Sequence, residues 1–167
     1  MKVLIVYGSK YGATAAIAQR IAGVLAEEGL QVAVLRADGV KDLRPYGAAI
    51  VGSAVYAGQW RKEVVSFVRA HAEELSHIPV WCFSSGPLGS GDPVELLHGW
   101  RIPKALESTL QRVRPRGIAV FHGALDVTKL NWFERAIVRL LKSPRGDFRD
   151  WEAIAAWARD IALALKG

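Results

Sequence analysis

Three features of the sequence predict a doubly wound α/β fold built on a five-stranded parallel sheet. Short runs such as Val3 to Val6 and Ala48 to Val51 are apolar at every position, which suits strands buried on both faces. These runs alternate along the chain with segments whose apolar residues recur at helical spacing, the pattern of strands joined by crossover helices. Turns rich in glycine and polar residues separate the two kinds of segment.

The elements follow in order. Lys2 to Tyr7 is the first strand, a β-branched and aliphatic run. Thr14 to Glu28 follows as a helix, with Ile17, Ile21, Ala22, Val24 and Leu25 on one face, and Gly29 ends it. Gln31 to Arg36 returns to strand character, and Ala48 to Val55 is a third strand, apolar except at Gly52 and Ser53. Arg61 to Leu75 reads as one helix with Val64, Val65, Val68, Ala72 and Leu75 inward. Pro79 to Ser84 is the fourth strand, and a loop rich in glycine and proline leads to a helix over Pro103 to Val113, started by proline. Gly117 to His122 is the fifth strand. The last helix spans Asp150 to Leu165, with Asp150 as N-cap and Glu152 in the first turn.

Composition narrows the function classes. The 167 residues suit one domain over 1–167, and 51% hydrophobic with 23% charged residues describes a globular chain rather than a disordered one. Cys82 is the only cysteine, so no internal disulfide forms, and the expected setting is a reducing, cytoplasmic one. Trp151 to Leu165 is interrupted by Glu152, Arg159 and Asp160, leaving no run of the ~20 apolar residues needed to span a bilayer. The net charge of +6 permits acidic partners without naming one. Nucleic acid is not expected, because the basic residues are not interleaved with stacking aromatics on a recognition element.

In doubly wound sheets ligands bind beyond the carboxyl ends of the strands. After the first strand come Ser9, Lys10, Tyr11, Gly12, Ala13 and Thr14, a turn into a helix whose first amides lack partners and therefore suit an anion. A simple N-cap by Ser9 or Thr14 is the competing reading of so short a pattern. No Gly-Lys-Ser/Thr ending and no Gly-x-Gly-x-x-Gly is present, which removes the nucleoside-triphosphate and dinucleotide loops. Ser53, Ala54, Val55 and Tyr56 end the third strand, and Tyr56 could stack on a planar ring. Ser84, Ser85, Gly86 and Gly89 begin a small, donor-rich loop after the fourth strand.

Together these loops resemble the flavodoxin family, over essentially the whole chain. The resemblance implies sheet order 2-1-3-4-5, with flavin mononucleotide (FMN) as cofactor. The phosphate would be held by Ser9, Gly12 and Thr14 of a Ser/Thr-x-x-Gly-x-Thr loop, with Tyr56 beside the isoalloxazine ring and Ser84 to Gly86 facing its pyrimidine edge. Electron-shuttling flavodoxins are typically acidic, whereas this chain is net positive. A segment at about 124–149 stands as an insertion between the fifth strand and the last helix. With Gly52-Ser53, Tyr56-Ala57-Gly58 and His71-Ala72, it is similar to the menaquinone-dependent protoporphyrinogen oxidase branch. That branch implies a small-molecule redox substrate, a porphyrinogen, with quinone as acceptor. An electron carrier, a quinone reductase and a non-catalytic binding module are the alternatives.

Within the inserted segment Trp132, Phe133, Ile137, Val138, Leu140 and Leu141 form an apolar surface, ringed by Lys129, Arg135, Arg139, Lys142, Arg145 and Arg149. Trp132 to Lys142 could touch a membrane surface from the cytoplasmic side, cover a hydrophobic substrate, or pack on the sheet edge. The basic residues could also bind porphyrin propionates. His71, His77, His98 and His122 have no metal-ligand spacing, Cys82 lies mid-strand, and no metal or catalytic side chain is assigned. The chemistry would belong to the cofactor.

Overall fold

The structure, a computed structural model, describes residues 1–167. Its strands are β1 (Lys2–Gly8), β2 (Gln31–Arg36), β3 (Ala48–Tyr56), β4 (Gln59–Trp60), β5 (Val80–Ser85), β6 (Gly117–Phe121), β7 (Ala124–Leu125) and β8 (Gly146–Asp147). The helices are α1 (Ala13–Glu27), α2 (Lys62–Ala70), α3 (Ala72–Ser76), α4 (Pro93–Leu96), α5 (Glu107–Val113), α6 (Trp132–Leu140) and α7 (Trp151–Lys166). The main sheet runs β2-β1-β3-β5-β6, all parallel, and β4 adds antiparallel to β3. The expected order of five parallel strands is thus present, with β5 and β6 as its fourth and fifth members.

Alternation of side chains along each strand divides the core into two layers. Val3, Ile5, Ala48, Ile50, Trp81 and Phe83 face α1 and α7. Their neighbours Leu4, Val6, Ala49, Val51, Val80 and Cys82 face α2, α3 and α5. Strands apolar at every position are needed because both faces are covered. At Gly52 the strand has no room for a side chain, since a Cβ would lie 2.0 Å from Phe83 Cζ.

The element boundaries differ informatively from the sequence reading. Helix α1 ends as expected, with the Gly29 amide donating to Ala26 O and Leu30 to Leu25 O. Asp150 caps α7 by accepting from the Ala153 amide at 2.9 Å. The single helix read over Arg61 to Leu75 breaks at His71, whose φ/ψ of −107°/18° departs from helical values and whose Nδ1 lies 2.8 Å from the Glu74 carboxylate. Pro103 is followed by a 3₁₀ turn, Lys104–Leu106, before α5 begins. The loop after β5 contains α4, capped by Asp92, and residues 124–149 contain a two-stranded antiparallel β7–β8 pair flanking α6. No helix is long and apolar enough to cross a membrane.

Candidate functional site

A cavity of about 330 Å³ opens at the carboxyl ends of β1, β3 and β5. Ser9, Lys10, Tyr11, Ala13 and Thr14 form one wall, Ala54, Val55 and Tyr56 a second, and Ser85, Gly86 and Leu88 a third. The fourth wall comes from the 124–149 segment and its approach, including Gly123, Leu125, Leu130, Glu134, Ile137 and Val138.

The first wall leaves several backbone donors free. Gly12, at φ +93°, is the N-cap of the 15-residue helix α1 and uses no side-chain cap. Ser9 Oγ accepts the Gly12 amide at 3.0 Å and so closes the turn. The amides of Lys10, Tyr11, Ala13, Thr14 and Ala15 find no acceptor in the chain. Unpaired amides at a helix start, with the helix dipole behind them, favour a phosphate. Thr14 is 1% exposed, lines the cavity, and its hydroxyl makes no hydrogen bond within the chain.

Strand parity decides which serine hydroxyls remain available. Ser53 and Ser84 are opposite each other in the β3–β5 register and face away from the cavity. Ser53 Oγ donates to Ala54 O and accepts from the Arg61 amide, both at 2.9 Å. Ser84 Oγ accepts from Trp60 Nε1 at 2.8 Å and donates to Arg101 O at 2.7 Å. Ser85 lies opposite Ala54, lines the cavity, and its hydroxyl has no partner in the chain. Gly12 lines a neighbouring cavity, and Gly89 (φ +110°) lies in the loop after β5 without lining either. Buried His122 holds that loop, with Nδ1 3.2 Å from Pro87 O and Nε2 2.7 Å from Gly91 O.

Tyr56 is half-exposed at the turn between β3 and β4, with the Arg61 guanidinium 5.9 Å from its ring centre. Partial burial raises its hydroxyl pKa above the usual tyrosine value. The turn itself is a two-residue hairpin, with Ala57 at φ +49° and Gly58 at +72°. Both central residues at positive φ match a type I′ turn, and a non-glycine residue there carries strain.

The residue that sequence reasoning missed is Glu134. Its carboxylate accepts the Asn131 amide while Asn131 Oδ1 accepts the Glu134 amide, a complete capping box at the start of α6. The same carboxylate pairs with Lys10 across the cavity. Chiefly through the Lys10 hydrogen bond, and then that of Tyr11, the Glu134 carboxyl is held down at about 2 and Lys10 is raised above the usual lysine value. Asn131-x-x-Glu134 was legible as a capping box, but its contact with Lys10 joins residues 124 apart in the chain. Lys129 Nζ to Tyr11 O at 3.4 Å and Arg149 Nη1 to Ala13 O at 3.2 Å add two further links between this segment and the first loop.

Helix α6 does not pack on the sheet edge, since none of its residues is buried. Trp132 and Leu140 are each 81% exposed. Cys82 is buried and burial pushes its thiol up to about 12, so it is no nucleophile at neutral pH. No group of His, Cys, Asp and Glu has the geometry to hold a metal ion.

A doubly wound parallel sheet with unpaired helix-start amides and a cleft at its strand ends defines the class of α/β domains that take ligands where the winding direction reverses. The sequence matches the family described as Flavodoxin domain over residues 4–152, and the chain belongs to that family. It is 27% identical to the protoporphyrinogen IX dehydrogenase [quinone] of Escherichia coli strain K12, over 97% of this chain and 95% of that protein. Among solved structures it is similar to a flavodoxin from the domain Archaea, with TM-score 0.63, 17% identity and full coverage of both chains. It also resembles the rubredoxin oxygen:oxidoreductase of Desulfovibrio gigas, with TM-score 0.64 and 20% identity, over 99% of this chain and 36% of that one. These two likenesses establish the flavodoxin-like fold.

Proposed function

We propose that this chain is an FMN-dependent oxidoreductase that oxidises protoporphyrinogen IX with a quinone as acceptor. The observation that carries the cofactor is the group of free amides of Lys10, Tyr11, Ala13, Thr14 and Ala15, with the Thr14 hydroxyl, at the mouth of a cleft walled by Tyr56 and the Ser85–Gly86 backbone. A phosphate fits the amides, a planar ring fits beside Tyr56, and Ser85 Oγ with the Gly86 backbone suits a heterocycle edge. The cofactor, when bound, supplies the hydride- and electron-accepting chemistry. The chain's own residues would bind and orient it, and the apolar side chains of Leu125, Leu130, Ile137 and Val138 would shield it from water on the side of the 124–149 segment.

The substrate reading is supported by the E. coli relative, whose name specifies protoporphyrinogen IX and quinone and which aligns along nearly the whole chain. On this reading residues 1–167 are one domain and the segment at about 124–149 is an insertion that covers the substrate side of the cleft. Purified protein should be yellow, or should quench the fluorescence of added FMN. A colourless protein that leaves FMN fluorescence unchanged overturns the cofactor reading. Quinone-dependent appearance of porphyrin fluorescence tests the substrate, and flavin binding without such turnover would favour an electron carrier or a quinone reductase.

A second reading rests on the exposed side chains Trp132, Phe133, Leu140 and Leu141 of α6 and its C-terminal end, at 58% to 81% exposure with cationic neighbours. It assigns this surface to peripheral contact with an anionic membrane, where a lipid-soluble quinone resides. Sedimentation with anionic vesicles, compared between the natural chain and Trp132→Ser/Leu140→Ser, tests it.

A further inference from the structure

On the side of α6 next to its cavity-lining residues lies a separate pocket of about 260 Å³, lined by Val127, Thr128, Arg135, Arg139 and Arg145. Arg135 and Arg139 are four residues apart and therefore share a helix face. Glu134, Ile137 and Val138, on the adjoining face, line the main cavity. A third cavity of about 590 Å³ connects the two regions through shared walls. It has Val127 and Arg145 in common with the arginine pocket, and Tyr11, Ala13, Ala124 and Leu125 in common with the main cavity.

The pocket's charge is uncompensated. None of the three arginines forms an ion pair, whereas Lys10, Arg36, Arg61, Arg149 and Arg159 all do. The carboxylates of this segment are already engaged, Asp126 by the amide and hydroxyl of Thr128, Asp147 by Arg149 and Glu134 by Lys10. Arg135 is held in place by donating to Val127 O at 3.0 Å and Thr128 O at 3.3 Å. Those bonds use Nε and Nη2, and Nη1 remains free. Three like charges around one concavity repel, and an oxyanion with two acceptor oxygens relieves the repulsion while matching the planar guanidinium fork.

We infer that Arg135, Arg139 and Arg145 form a carboxylate-binding subsite that anchors the acidic side chains of the redox substrate, whose ring system lies over the flavin cleft on the side of the 124–149 segment. The inference rests on the proposed function. It assigns the specificity of that reaction to a patch outside the flavin cleft, and it names the substrate's distinguishing chemistry: an apolar ring system carrying carboxylate arms at one edge. Protoporphyrinogen IX, with two propionates on a tetrapyrrole, has that chemistry. Arg135 positions the pocket wall, and the unpaired Arg139 and Arg145 supply the free donors.

The test measures binding of protoporphyrin IX and of its dimethyl ester to FMN-loaded protein, in the natural chain and in Arg139→Gln/Arg145→Gln. The natural chain should prefer the free acid, and added salt should erode the preference. The double substitution should raise the Kd of the free acid about tenfold or more, as loss of charge-assisted hydrogen bonds predicts, with the ester and FMN unchanged within about twofold. Equal weakening of acid and ester, or weakening of neither, overturns the subsite. A natural chain that binds neither porphyrin also overturns it, and FMN quenching in the same samples reports separately whether the flavin reading stands. Vesicles of phosphatidylglycerol and of phosphatidylcholine form the last arm. Loss of phosphatidylglycerol binding in the double variant, with porphyrin binding intact, would assign the arginines to lipid phosphate and overturn the proposal.

Discussion

Replacing Thr14 by Val tests the phosphate-binding role proposed for the first loop, because the two side chains have nearly the same shape and differ in one hydroxyl. Thr14 is 1% exposed at the first turn of α1, and its hydroxyl has no partner within the chain. No internal hydrogen bond is therefore lost, and the fold should lose little stability. Toward a phosphate dianion the hydroxyl would make a charge-assisted bond, and such bonds contribute about 1.5–3 kcal/mol. The expected result is a rise in the FMN Kd of about 10- to 150-fold by fluorescence quenching. Riboflavin has the same ring without the phosphate, and its Kd should stay within about twofold. The ratio of the two dissociation constants reads the phosphate contribution alone. Equal weakening of FMN and riboflavin, or no change in FMN, would refute the cradle argument.

Three further outcomes follow from the geometry. Ser84→Ala should destabilise by about 1–3 kcal/mol in denaturant unfolding, because Trp60 Nε1 and Arg101 O lose their shared partner, while the FMN Kd stays the same. Gly52→Ala should cost about 3 kcal/mol in the same assay, since the added Cβ lies 2.0–2.5 Å from three ring atoms of Phe83, which is fully buried against Phe121 and Trp157. A near-neutral effect would mean that Phe83 has room to move. Glu134, with a folded pKa near 2 against an ordinary value of 4.5, contributes stability that is present above about pH 4.5 and lost as pH falls toward 2. Protection factors of the α6 amides, measured against their intrinsic exchange rates at each pH, should fall over that window, and Glu134→Gln should remove the pH step.

The sheet was legible in the sequence because parallel strands covered on both faces must be apolar at every position. Val3 to Val6, Ala48 to Val51 and Val80 to Phe83 meet that demand. The first loop was legible too, since a small-residue turn between a buried strand and an amphipathic helix leaves backbone donors free wherever it occurs. Less legible were interruptions such as His71, where local side-chain bonding competes with helix continuation.

What the sequence by itself determined is therefore the doubly wound core, the position of the donor-rich turn at the end of the first strand, and the amphipathic character of Trp132 to Leu141. Only the tertiary structure decided how those parts are used. Pleat and register turned Ser53 and Ser84 into structural ties and left Ser85 facing the cavity, because adjacent residues on a strand point to opposite faces and the pairing sets which face that is. Likewise, Glu134 meets Lys10, and Arg135 and Arg139 meet Arg145, through chain paths that no local spacing encodes. Local propensity specifies where a helix begins, but the groups that face it across a cleft depend on how the whole chain folds back.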